Sequence, residues 1–196
     1  MEKFTQEQIE ILVQKIAPQG ELIRAWPLTG GISAQMTALE IERADGQTQR
    51  LIVRRPGEGT LRHNPRAVDD EFRLLQQASA LGLPVPEPVF LDASGAILPM
   101  PYLVIEYIDG RLEFKPTSLE NYTHQIAAHL AAIHRAGASG LDFSFLPKPA
   151  ADFPARPLSA APWFQVDRIR AVLEPAWPIP QRNPSTLLHG DYWPGN

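Results

Sequence analysis

The chain has 196 residues, 44% of them apolar and 20% charged, a balance that supports a buried core and excludes general disorder. It contains no cysteine, which removes disulfides, thiolate metal sites and a cysteine nucleophile from consideration. A formal charge of -4 argues against a nucleic-acid partner, which calls for a basic face. Glu2, Lys3, Glu7 and Glu10 do not fit a secretory or transit leader, and no apolar run nears the ~20 residues of a membrane span. The expectation is a cytoplasmic, soluble protein with no membrane partner.

Thr5 with Gln8 three residues on reads as a capping box, and Ile9, Leu12, Val13 and Ile16 follow at helical spacing, so residues 5–17 are expected to form an amphipathic helix closed by Pro18 and Gly20. Three strand-like runs come next, at 21–28, 34–43 and 48–54, with Asp45-Gly46 as the hairpin turn between the last two. Residues 56–62 read as a loop. Asn64-Pro65 then gives an N-cap with proline in the first turn of a second helix, whose buried stripe is Val68, Phe72, Leu75 and Leu81.

Pro84, Pro86 and Pro88 force an extended crossing, followed by strands at 89–92 and 102–107 around the Asp92-Ala93-Ser94-Gly95 turn. Thr117 with Glu120 is expected to start a long helix with Ile126, Leu130 and Ile133 facing inward, ended by Gly137. Residues 146–162, rich in proline and alanine, read as an irregular surface excursion, with a further helix near 163–173. The order is a strand-rich first half, residues 1–108, and a helical second half, residues 109–196.

Several chemistries are absent as patterns. There is no G-x-x-x-x-G-K-[ST] phosphate loop, no complete dinucleotide fingerprint and no G-x-S-x-G elbow. His124, His129 and His134 are spaced by five, which turns a helix by about 500°, or about 140° net, so neighbours in that series diverge and do not make a metal site. One pattern is present: Leu187-Leu188, read as a short strand, leads into His189-Gly190-Asp191-Tyr192-Trp193-Pro194-Gly195-Asn196, an H-x-D-x-x-x-x-N arrangement. In a kinase catalytic loop this spacing lets a carboxylate accept the proton of a substrate hydroxyl, while an amide five residues later holds magnesium on the nucleotide phosphates. Without that context the same string is a turn with a capping Asp and Asn.

With His-Gly-Asp in place of the His-Arg-Asp of protein kinases, the sequence resembles the aminoglycoside phosphotransferase family, the small-molecule branch of the kinase-like fold. The resemblance implies an α+β, two-lobe, protein-kinase-like fold: an antiparallel N-terminal sheet with one helix, a hinge, and the first part of a helical C-terminal lobe. It implies ATP and Mg2+ as cofactors and a small-molecule hydroxyl as acceptor. Gly30, Gly31 and Ser33, between the first two strands, would cover the nucleotide phosphates, and Leu51-Ile52-Val53-Arg54 would take the place of the strand that ends in a cation.

Strand alternation puts Ile52 and Arg54 on one face, with Ile52 toward the adenine and Arg54 toward the phosphates; Arg55 would replace Arg54 if the register slipped by one. Glu71, beside Phe72 and three residues from Val68, would pair with that cation, with Asp69 and Asp70 as competitors further round the helix. Backbone groups at Glu106, Tyr107 and Ile108 would read the adenine at the hinge. Asp191 would orient the acceptor and take its proton, Asn196 would hold magnesium, and His189 would brace the loop.

Relatives continue past this loop with a second metal-binding aspartate and further helices, whereas the sequence stops at Asn196. The expectation for these 196 residues is therefore a truncated, catalytically silent chain with apolar faces left free for self-association. Arginine in the lysine place also keeps open a rival reading, a nucleotide-binding module without turnover.

Overall fold

The computed structural model describes residues 4–29, 34–110, 113–136, 140–147, 166–178, 180, 182 and 185–193. Helix α1, Gln6–Ile16, starts at Thr5, whose side chain accepts from the Gln8 amide while the Gln8 side chain accepts from the Thr5 amide. This is the capping box expected from sequence. Strands β1 (Glu21–Leu28), β2 (Ala34–Glu42) and β3 (Thr48–Pro56) then form a meander, with Gly46 at φ 78° in the β2–β3 turn, a conformation glycine adopts without a Cβ clash.

Residues 56–62 are not the loop that two glycines suggest. Gly57 caps a short helix α2, Glu58–His63, in which Glu58 faces Arg62 at 3.8 Å and the His63 ring bonds the Gly59 carbonyl at 2.7 Å. The acidic start and basic end suit the helix dipole and outweigh the low propensity of Gly59. Helix α3, Ala67–Ala80, begins later than Asn64-Pro65 suggests. Asn64 spends its side chain on a turn, accepting from the Arg66 amide at 3.0 Å and donating to Asp70 at 2.8 Å, so helical geometry starts only after Arg66.

Strands β4 (Pro88–Asp92) and β5 (Tyr102–Glu106) complete an antiparallel sheet of order β1-β2-β3-β5-β4. Alternation gives it two different faces. On one, Leu39, Ile41, Leu51, Val53, Tyr102 and Val104 pack against Ile9, Leu12 and Val13 of α1. On the other, Ile52, Leu103 and Ile105 pack against Val68, Phe72 and Leu75 of α3. Burial of these side chains supplies the main driving force for sandwiching the sheet between the helices.

The long helix α4, Leu119–Ala136, starts one residue after Ser118, whose hydroxyl accepts from the Asn121 amide at 3.2 Å; the expected Thr117 cap is displaced by this nearer one. Ile126, Leu130 and Ile133 lie on its half-buried face. Helix α5, Val166–Leu173, falls within the expected 163–173. The Gly137 terminator and most of 146–162 lie outside the described residues. Leu187-Leu188 is not a strand, because the segment finds no partner strand among the described residues.

Candidate active site

The α3-facing side of the sheet is built in rows by the strand register. Met36, Arg54 and Leu103 are direct partners across β2, β3 and β5, and the next row holds Trp26, Ala38, Ile52 and Ile105. Arg54 therefore leaves the sheet on the Ile52 face, as alternation predicts. Its Nε donates to Oε1 of Glu71 on α3 at 2.6 Å, and its Nη1 lies 3.9 Å from the sulfur of Met36. The side chains of Arg54 and Glu71 are 27% and 30% exposed, so the pair is oriented by the fold yet open to a ligand from one side.

Arg55 points to the opposite face. It is 3% exposed, its guanidinium bonds the Pro99 carbonyl at 3.3 Å and the side chain of Gln35, and it lies over the Phe4 ring at 4.8 Å. Arg55 thus ties α1's entry and the 93–101 loop to the sheet, and of the two arginines it is Arg54 that lies on the α3 side. Of the competing acids, Asp70 is engaged with Asn64 and only Glu71 contacts Arg54 among the described residues.

Glu106 is the last residue of β5, and Tyr107 follows it. The Glu106 amide donates to the Glu87 carbonyl at 2.9 Å and the Tyr107 amide to the Arg50 carbonyl at 3.2 Å, so both are occupied in the sheet. The Ile108 amide has no partner among the described residues, and its side chain is exposed. The backbone here is held by Arg50, whose guanidinium pairs with Asp109 and stacks 4.9 Å from the Tyr107 ring. Trp26 meets the same ring at 6.3 Å and carries Arg24 over its own face at 4.5 Å. Sequence reasoning missed Trp26; its signal is the β1–β2 register, which sets it opposite Ala38 and in line with Ile52.

In the H-x-D segment, Gly190 takes φ 81°, which a glycine adopts without strain, and the His189 and Tyr192 rings meet edge to face with centroids 5.3 Å apart. Asp191 lies between them with an exposed side chain. The His189 ring thus packs against Tyr192 within the loop. Gly30, Gly31, Ser33 and Asn196 lie outside the described residues. Among the described residues no three histidine, aspartate or glutamate side chains converge on a metal.

An open groove of about 440 Å3 lies elsewhere, at the α1 end of the β2–β3 turn, with Arg43 and Asp45 as its charged lining. The Arg54–Glu71 pair lies away from it, on the α3 face.

The sequence model of the phosphotransferase enzyme family, APH, matches residues 27–196, which takes in every element from β1's end to the H-x-D segment. The chain belongs to the phosphotransferase enzyme family. It is 24% identical over 170 residues to mouse (Mus musculus) acyl-CoA dehydrogenase family member 10, a match covering 78% of this chain and 15% of the mouse protein. A crystal structure from Ralstonia eutropha JMP134, provisionally named an aminoglycoside phosphotransferase, superimposes with a TM-score of 0.53 at 15% identity, covering 74% of this chain and 43% of that one. This likeness shows the fold, the α+β kinase-like architecture. The chain spans less than half the length of either relative. Among the described residues of this phosphotransferase-family chain, no helix is long and apolar enough to cross a membrane.

Proposed function

We propose that the chain binds ATP against the α3 face of the sheet and serves transfer of its terminal phosphoryl group to a hydroxyl of a small molecule. The observation that carries this reading is the Arg54–Glu71 pair: a strand cation, directed by a helix carboxylate at 2.6 Å, in a family member that also carries His189-Gly190-Asp191. A guanidinium so directed can form charge-assisted bonds to phosphate oxygens without first being ordered. Ile52 and Trp26, both half-buried, offer an apolar surface for the base, and the Ile108 amide offers it a donor. Asp191 would accept the proton of the acceptor hydroxyl, a positioning and charge-stabilising role of the kind that dominates phosphoryl transfer.

Magnesium asks a protein for one or two oxygen ligands on the nucleotide phosphates and does not need an all-protein cage. The amide of Asn196, which lies outside the described residues, is the ligand that the family resemblance supplies. The metal would neutralise phosphate charge.

The test is transfer of labelled phosphate from ATP to a panel of aminoglycosides, choline, amino sugars and other alcohols, with ATP binding measured by calorimetry. Transfer to any panel member supports the reading. Binding without transfer favours the second reading, a nucleotide-binding module, for which arginine in the lysine place is the motivating observation. Absence of ATP binding overturns both.

A further inference from the structure

The stretch that carries Asp191 has no backbone ladder of its own: residues 185–193 form neither helix nor strand. Two of the side-chain bonds that hold it end on main-chain carbonyls of α4. Thr186 Oγ1 donates to the carbonyl of His134, and the Tyr192 hydroxyl donates to the carbonyl of Ile126 at 2.7 Å. His134 stands in the last turn of the described part of the helix, and its carbonyl accepts from the Thr186 hydroxyl. Ile126 is in the helix interior, and its oxygen has a second lone pair beyond the helical bond.

The two acceptors are eight residues apart, about 12 Å along the helix axis. The six-residue step from Thr186 to Tyr192 can reach ~20 Å when extended, so it covers this distance with slack. The left-handed turn at Gly190 takes up part of that slack, and the His189–Tyr192 edge contact closes across it. Asp191 is the residue between the turn and the anchored phenol.

We infer that Thr186 and Tyr192 are positioning residues, a two-point strap that lays the loop along α4 and aims the Asp191 carboxylate at the acceptor. This rests on the acceptor-orienting role proposed above for Asp191. A single tether would leave the loop free to swing about it, whereas two tethers on one rigid helix fix both place and direction. Misplacement of a reacting group by about 1 Å can cost ~100-fold in rate.

Tyr192→Phe keeps the ring against His189 and removes only the hydroxyl. Thr186→Val is the matching change at the other end, and Thr186→Ser restores the donor. Each is compared with the parent in phosphate transfer and in hydrogen exchange over residues 187–193 read by mass spectrometry. Tyr192→Phe and Thr186→Val are expected to lower kcat roughly 10- to 100-fold while the KM for ATP stays within about twofold, and to speed exchange in 187–193. Thr186→Ser is expected to behave as the parent.

Unchanged exchange in both variants overturns the strap, and unchanged kcat despite faster exchange overturns the aiming role. A parent chain that transfers no phosphate fails the proposed function and the aiming role with it, and exchange then decides the strap alone.

Discussion

Arg54 and Arg55 follow each other in β3 and leave the sheet on opposite faces, Arg54 to Glu71 on α3 and Arg55 to Gln35, Pro99 and Phe4 on the α1 side. Adjacent identical residues therefore do different things. Substituting Arg54→Ala is expected to weaken ATP binding by on the order of 1.5–3 kcal/mol, about ten- to a hundredfold in Kd, because a directed charge-assisted phosphate contact is lost. Its effect on stability should stay within about 1 kcal/mol, since the ion pair it breaks is partly solvated. Arg55→Ala should do the reverse: a loss of about 2 kcal/mol or more in stability from a buried, hydrogen-bonded guanidinium, with little change in ATP affinity at temperatures where the fold persists. Calorimetric titration and denaturant melts on both variants check this, and the two patterns exchanged would put the phosphate site on the wrong face.

The hinge makes a sharper prediction about a backbone group. Two of its amides are already spent, Glu106 on Glu87 and Tyr107 on Arg50, which leaves that of Ile108 for a base. Ile108→Pro deletes this donor, and Ile108→Ala deletes only the exposed side chain. ATP affinity should fall about tenfold for the proline variant and stay near the parent for alanine, in keeping with the loss of one desolvated hydrogen bond. Equal losses in the two would assign the effect to the side chain and remove the amide from base recognition.

Much of this arrangement was legible in the sequence because it depends on periodicity. Period-two alternation set Ile52 and Arg54 on one face, and helical spacing from Val68 turned Glu71 toward the sheet. The Asp45-Gly46 turn fixed the β2–β3 register. What was hidden depends on partners the sequence does not mark. Leu187-Leu188 looks like a strand by composition, but a strand needs a neighbour. Glycines at 57 and 59 look like a loop, yet Gly57 serves as a cap and the charges of Glu58 and Arg62 suit a single helical turn. The anchors Thr186 and Tyr192 end on backbone carbonyls, which carry no side-chain signature. Arg55 reads as a solvated strand-end charge until Phe4, Gln35 and Pro99 are seen around it.

Acid should release a contact between α3 and the segment after α4. Asp142 accepts from Arg73 at 2.8 Å and its carbonyl accepts from Gln77 at 3.2 Å, while the Arg73 guanidinium also lies 4.4 Å from the Phe145 ring centre. Hydrogen bonds from the Ser144 hydroxyl and amide, and then Arg73, hold the Asp142 carboxyl at about 2 against an ordinary 3.8. Because the folded value is the lower one, the carboxylate stabilises this contact above about pH 4, and the contribution is lost as pH falls toward 2. Residues 140–147 are expected to become exchange-labile over that window, and Asp142→Asn should show the labile state already at pH 7. A protection factor in this segment, exchange corrected for the intrinsic rate at each pH, that stays flat from pH 5 to pH 2 in the parent would contradict the assignment.

The proposed turnover rests on Asp191. The side chain is exposed in a loop held on α4, and it is remote in sequence from the Arg54–Glu71 pair that would hold the phosphates, so the two functions separate by mutation. In a chain continued past Asn196, Asp191→Asn keeps size and hydrogen-bonding capacity but removes the proposed proton acceptor, and it is expected to cut transfer by about two to four orders of magnitude. ATP affinity and the melting midpoint should remain those of the parent, because the carboxylate is outside both the sheet core and the proposed base site. Arg54→Ala offers the complementary signature, weakened ATP binding with Asp191 intact, and the double variant should combine the two losses roughly additively if the residues act on different steps. Transfer by Asp191→Asn within a few-fold of the parent would remove the carboxylate from the mechanism. A matching fall in ATP affinity would mean that Asp191 contributes to nucleotide binding and not to the acceptor.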